Sequence, residues 1–294
     1  MLFDALAASE SAPALAENWR RIAAHFDLLL DRPEAVDALE QTVLQLAVRA
    51  LLVPQDPTDE PAVELLARIR AGKGRLIDEA RLKRERLSEL DEKGVGLAEL
   101  PRGWSWASMG TIAIVGTGTT PSRTNSAYFS PATIPWVTSG ETGQSFITKT
   151  GQAVSELALR ETGLTVYPQG TLIVAMYGQG KTRGQVSELT IEATTNQACA
   201  AIVPVIQDVE HRRYLKLFFE KIYDEIRELS AGGAQPNLNV GKIKATQVPL
   251  PPLAEQHRII ACVEHGARQS SVVAGKSTCA TTYALWQKGA KNTQ

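Results

Sequence analysis

The sequence predicts an α+β fold in which a β-rich domain is flanked by long α-helices. Three observations carry this. Before residue 95, apolar residues recur at spacings of three and four, the period of a helix with one buried stripe. Between residues 101 and 252 they fall instead into short runs punctuated by glycine and proline, the pattern of strands and turns. Charge also varies along the chain: residues 1–60 hold four Lys+Arg against eleven Asp+Glu, whereas the tail from Leu253 holds five against two. The expected organisation is an N-terminal helical region over 1–95, a β-rich domain over 96–252, and a C-terminal helix start with a divergent tail over 253–294.

At 294 residues and 44% apolar content, the chain has ample material for a core, which excludes wholesale disorder. A formal net charge of −1 argues against a uniformly basic nucleic-acid coat. Cys199, Cys262 and Cys279 are too scattered for a disulfide framework or a four-cysteine zinc site. With no apolar run of about twenty residues and no signal-like start, the expectation is a cytoplasmic protein with no membrane partner.

In the front region, Val36, Leu39, Val43, Leu46 and Ala50 form the stripe of a helix over 33–49. Asp31 is its expected N-cap, and Pro54 and Pro57 its stop. A second helix should run from Pro61 to Lys93, capped by Thr58 or Asp59, with a seam of Ala62, Leu66, Ile69, Leu76, Ala80, Leu87 and Leu90. Lys73, Lys83, Gly72 and Gly74 interrupt that seam. The stripe either packs on a neighbour within the chain or binds a partner in a larger assembly. Gly94–Val95–Gly96 then breaks the rod.

Trp104 and Trp106 lie on one face of an extended run and read as core anchors. Candidate strands follow at Thr111–Val115, Ile134–Val137, Thr165–Val166, Thr171–Tyr177 and Ala198–Val203. From His211 to Leu229 the spacing turns helical again, with Tyr214, Leu217, Phe218, Ile222, Ile226 and Leu229 on one side.

Three loops concentrate the polar chemistry. Tyr177 to Gly184 contains Gly-Lys-Thr, yet a phosphate-binding P-loop needs glycine at position 175, where this chain has Ala, and a following helix. Two cations and a hydroxyl on glycine-loosened backbone suit nucleic-acid phosphate contacts better, with Tyr177 or Gln179 reaching a base. In Ala193–Ala198, Asn and Thr side chains are expected to satisfy a turn. In Gly232–Val240, Asn237 and Asn239 are expected to serve as structural hydrogen-bonders.

Catalytic patterns are not found. His25, His211, His257 and His265 make no metal-ligand spacing, and His211 and His257 read as ordinary surface histidines. There is no G-x-S-x-G elbow, no His-Glu-x-x-His pair and no dinucleotide fingerprint. Cys199 falls in an apolar strand, where burial is the default. The reading is a non-catalytic chain.

The runs LPRGWSWASMGTI, IPWVTSGE, GTLIVAMYGQGKTRG, ATTNQACAAI and GGAQPNLNVGKIKATQVPLPPLAEQHRI resemble the DNA specificity (S) subunit of Type I restriction–modification systems. So does the helical stretch upstream, so the resemblance spans roughly residues 18–264. It implies that residues 101–252 are a target recognition domain reading part of a split sequence in double-stranded DNA. It also implies that the helices, spacers of coiled-coil type, dock modification subunits, with a restriction subunit joining the assembly. S-adenosylmethionine, ATP and Mg belong to those partners; no cofactor is expected in this chain. The DNA face is expected to use Tyr177, Lys181, Thr182 and Arg183, with Lys149 and Gln235 in support.

A full-length subunit of this type has two such domains, and this sequence has room for one. After Glu264 it turns Ser/Thr/Lys-rich, without continued heptads. A truncated two-domain subunit, a half-subunit that self-dimerises and a recombination cassette all fit; a non-reading adaptor for the modification subunit is the functional alternative.

Overall fold

The structure, a computed structural model, describes residues 5–6, 8–9, 12–23, 42–43, 45–79, 99–178, 182–223 and 238–273. The chain divides into two compact units. One comprises Met1–Pro61, Glu99–Trp104 and Pro251–Gln294; the other comprises Ala62–Ala98 and Ser105–Leu250. This partition differs from the three segments drawn from composition, because the second predicted helix belongs with the β-rich unit.

The first unit contains α1 (Ala12–Ala23) and α7 (Leu253–Val273). Leu6, Leu15, Ile22, Leu46, Leu52, Ile259 and Ile260 are buried, and each such side chain contributes about 1.5–3 kcal/mol. Most of the predicted 33–49 helix lies outside the described residues. Its end is visible: the Leu51 N–H donates to Leu46 O at 3.1 Å and Ala50 takes a left-handed φ of 55°, a helix stop four residues ahead of Pro54. Asp59 is not seen capping the next helix; its carboxylate receives Arg258 Nη2 at 2.5 Å and Nη1 at 3.2 Å. Trp104 is the core anchor expected of it, and its Nε1–H donates to Glu255 Oε2 at 3.0 Å. Helix α7 continues helical past Glu264 as far as Val273, beyond the point where the sequence pattern fades.

The second unit opens with α2 (Ala62–Glu79). Over the described length its seam is buried at Ala62, Leu66 and Ile69, with Leu65, outside the predicted seam, buried beside them, and Leu76 packs on the main β core. The seam is thus used inside the chain. Lys73, which breaks the heptad pattern, donates through Nζ to Gly110 O. Then come β1 (Ser105–Ser108), the single turn α3 (Met109–Ile112) and β2 (Ala113–Thr117). The expected strand at Thr111–Val115 therefore begins two residues late. Ser108 accounts for this: its Oγ accepts the Thr111 N–H and caps α3.

The remaining strands are β3 (Ile134–Val137), β4 (Phe146–Ile147), β5 (Ala153–Val154), β6 (Leu172–Ala175), β7 (Val186–Leu189), β8 (Thr194–Thr195), β9 (Cys199–Pro204) and β10 (Gln247–Leu250). Helices α4 (Glu156–Thr162), α5 (Val209–Lys221) and α6 (Val240–Ala245) complete the unit. The main sheet has the order β2-β9-β6-β7-β4, antiparallel except for the parallel β7–β4 pair. A smaller sheet runs β5-β3-β8, with β3 and β8 parallel, and β1 pairs antiparallel with β10. Helices and mixed sheets in one unit make the fold α+β.

Strand β6 is central and buried along its whole length, which explains its unbroken run Leu-Ile-Val-Ala. Ile114, Val137, Ile147, Tyr167, Ile173, Leu189 and Val203 form one core; Ile134, Trp136, Val154, Ala158 and Leu164 form a second. The expected strand at Thr165–Val166 reduces to a single bridge between Tyr167 and Ala193. His211, read as a surface histidine, is fully buried, because the first turn of α5, capped by Asp208, lies against the protein interior. His257 is exposed, as expected. Asn239 caps α6 by accepting the Lys242 N–H at 2.8 Å, the structural role foreseen for it.

Candidate nucleic-acid interface

Strand polarity gathers the loops. The C-terminal ends of β2 and β6 meet the N-terminal end of β9: Thr117 pairs with Ala200, and Ala175 with Cys199. Strands β7 and β4 start at this same end, with Val186 opposite Val174 and Phe146 opposite Glu188. Strands β3 and β8 finish there too, since Val137 pairs with Thr195 and the Asn196 N–H donates to Val137 O at 3.0 Å. Four connections, 118–125, 138–145, 176–185 and 196–198, consequently leave one end of the unit.

The 176–185 connection is a hairpin loop closed by Ala175 N–H to Gln185 O at 3.0 Å and Gly184 N–H to Ala175 O at 2.9 Å. A Cβ on Gly178 would lie 2.7 Å from Thr182 Cβ, so glycine is what lets the loop fold onto itself. Tyr177 is exposed at its rim, and Thr182 and Arg183 are half-buried within it. Strand β7, not a helix, follows, which disposes of the P-loop reading. Lys181 and Gln235 lie outside the described residues. Lys149 is exposed in the link from β4 to β5, two residues before Gly151, whose N–H donates to Glu141 Oε1 at 2.7 Å. The structure thus places Tyr177, Thr182 and Arg183 on one loop and Lys149 on another.

The neighbouring loops are braced against one another. Glu141 Oε2 accepts the Thr138 N–H at 2.6 Å, and the Gln185 side-chain amide sits within 4 Å of where a Cβ on Gly143 would be. A Cβ on Gly118 would fall 1.6 Å from Thr195 O, so the 118–125 loop crosses the β8 backbone in contact with it. Trp136 Nε1–H donates to Thr119 O at 3.2 Å, and Thr120 Oγ1–H to Gln197 Oε1 at 2.5 Å. The Ala193–Ala198 loop behaves as foreseen: Thr194 and Thr195 are buried, and Asn196 Oδ1 closes a turn by accepting the Ala198 N–H at 3.0 Å. Arg123, Gln185 and Gln197 were not singled out from sequence; only their turn-rich surroundings hint at them.

Cys199 is unsuited to nucleophilic chemistry. Burial, reinforced by the negative charge of Glu141, pushes its thiol up to about 12. In the first unit, burial pushes the Glu255 carboxyl up to about 7, against the opposing hydrogen bond from Trp104 and the charge of Arg258. No described helix is long and apolar enough to cross a membrane.

The β-rich unit thus presents braced polar loops from one end of its sheets. Residues 101–266 match the family described as Type I restriction modification DNA specificity domain, and the chain belongs to that family. The Type I restriction enzyme EcoEI specificity subunit of Escherichia coli is 32% identical over 287 residues, covering 90% of this chain and 46% of that protein. The EcoAI specificity subunit of Escherichia coli is 47% identical over 112 residues, 38% of this chain and 19% of that one. A crystal structure of the HsdS subunit from Thermoanaerobacter tengcongensis is similar at 18% identity and a TM-score of 0.48, over 85% of this chain and 57% of that one. The chain spans about half the length of the EcoEI subunit, or less of the other curated relatives it matches.

Proposed function

We propose that this chain is a sequence-specific DNA-binding specificity subunit that directs a Type I restriction–modification complex to its target, without catalysing a reaction itself. The observation that carries this is the gathering of four braced loops at one end of the β-rich unit, in a chain of the specificity-domain family. Arg183, Lys181 and Lys149 would supply phosphate contacts, and Tyr177 and Thr182 would face the groove, with Gln235 as a further contact. The helices would dock modification subunits, which hold S-adenosylmethionine, and a restriction subunit would bring ATP and Mg. If two copies of the chain pair, their symmetry requires an interrupted target with matching half-sites.

Methylation mapping of the host genome tests the reading. A defined methylated motif should vanish when the gene is deleted; an unchanged methylation pattern refutes a reading role and favours an adaptor that only binds the modification subunit. In the purified complex, replacing both Lys181 and Arg183 with Ala should lower DNA affinity. Each phosphate contact removed should also flatten the slope of log K against log salt by about 0.9. Unaltered affinity and slope would remove this loop from the interface.

A further inference from the structure

The turn between β8 and β9 sorts its side chains sharply. Thr194 and Thr195 are fully buried and Asn196 is consumed in closing the turn, while Gln197 is exposed. Gln197 is nevertheless held: Thr120, on the loop after β2, donates to its Oε1 at 2.5 Å. An amide whose oxygen is so engaged turns its NH2, a pair of donors, the other way. The backbones beneath are in contact, because a Cβ on Gly118 would lie 1.6 Å from Thr195 O, so the clasp rests on a stiff base.

Three residues beyond Thr120, the exposed Arg123 is held in the same manner. Its guanidinium carbon lies 5.8 Å from the centre of the Phe129 ring, and Nη2 donates to Gln152 Oε1 at 3.2 Å. Phe129 itself meets Trp136 edge-on at 6.4 Å. Two exposed, rotamer-rich side chains on adjoining loops thus surrender conformational freedom without burying apolar surface. Preorganised donors at a loop tip are what base recognition requires.

We propose that Gln197, oriented by Thr120, and Arg123, oriented by Phe129 and Gln152, form a second base-reading element separate from the Tyr177–Gly184 hairpin. This rests on the DNA-reading function proposed above. Gln197 would donate to a purine N7 or a thymine O4; Arg123 retains a free edge for the O6 and N7 of guanine. Thr120 acts as a positioning residue.

Selection from a randomised double-stranded DNA pool by the full-length chain, with salt held fixed, tests this directly. Wild type should enrich a motif. Arg123→Ala and Gln197→Ala should each lose about 5- to 150-fold of discrimination at one or two positions and keep it elsewhere. Arg123→Lys should retain affinity but lose the same position, since it keeps the charge and not the fork. Thr120→Val should blur the position that Gln197→Ala erases. All four substitutions are at the surface, and circular dichroism melts matching wild type establish that the variants are folded. An unchanged motif in Arg123→Ala and Gln197→Ala overturns this element while leaving the reading function standing. Affinity that falls uniformly over all sequences also overturns it, by marking phosphate contacts. No motif for wild type overturns the reading function and this element together.

Discussion

Glu255 gives the most quantitative test of the structural reasoning. The residue is only 1% exposed, and burial lifts its carboxyl from the ordinary 4.5 to about 7. Below pH 4.5 the group is protonated in both folded and unfolded chains, and the folded state carries no penalty. As pH rises, the unfolded chain releases its proton first, so stability falls until the folded carboxyl also ionises near 7. Each pKa unit is worth about 1.4 kcal/mol, which sets a ceiling of about 3 kcal/mol for the loss. Screening by nearby solvent lowers the expected loss to about 2 kcal/mol, or roughly 30-fold in an opening equilibrium. Hydrogen exchange of the amides in 253–264, corrected for intrinsic rates, reads this locally. Wild type should lose about 30-fold of protection between pH 5 and 8. Glu255→Gln keeps the shape and the acceptor for Trp104 Nε1 but cannot ionise, so its protection should stay level. A slope that persists in Glu255→Gln would refute the assignment of the buried charge.

Two further outcomes follow from close approaches. A Cβ on Gly116 would lie 2.4 Å from the Tyr167 hydroxyl, which donates to Thr117 O at 3.2 Å, whereas the ring carbon Cζ is 3.4 Å away. Gly116→Ala should therefore cost about 1–3 kcal/mol in wild type, and much less in a Tyr167→Phe background, a coupling that urea melts of the four-member cycle measure. Gly118→Ala presses on backbone that no side-chain change can relieve; it should cost at least as much, and thermal melts should show it unrescued by Thr195→Ser.

How far the sequence predicts this molecule depends on how local each determinant is. Strand β3 is read to the residue, because Ile-Pro-Trp-Val is a short apolar run with clear ends. The turn role of Asn196 and the capping role of Asn239 were likewise legible, each being a contact within three residues. Strand β10 was not, and β1 was foreseen only as an extended run around Trp104 and Trp106, because each exists by pairing with the other, Ser105 against Leu250. His211 was misread for a related reason: it stands among Glu210, Arg212 and Arg213 in sequence, yet its own side chain is fully buried. Among the candidate interface residues, the cations Lys181 and Arg183 were visible as composition. Gln197 and Arg123 were not, since the groups that fix them, Thr120 and Gln152, are 77 and 29 residues distant.

The pairing of β1 with β10 has an evolutionary corollary. Because Ser105 stands opposite Leu250, the chain enters and leaves the 105–250 block through neighbouring residues roughly 5 Å apart. A block spliced in through so narrow a doorway can be exchanged for another of different loop content by recombination at two short seams. The two seams face each other across one short antiparallel ladder of backbone hydrogen bonds. Exchanging the whole block would replace the loops at its end and leave the flanking sequence unaltered.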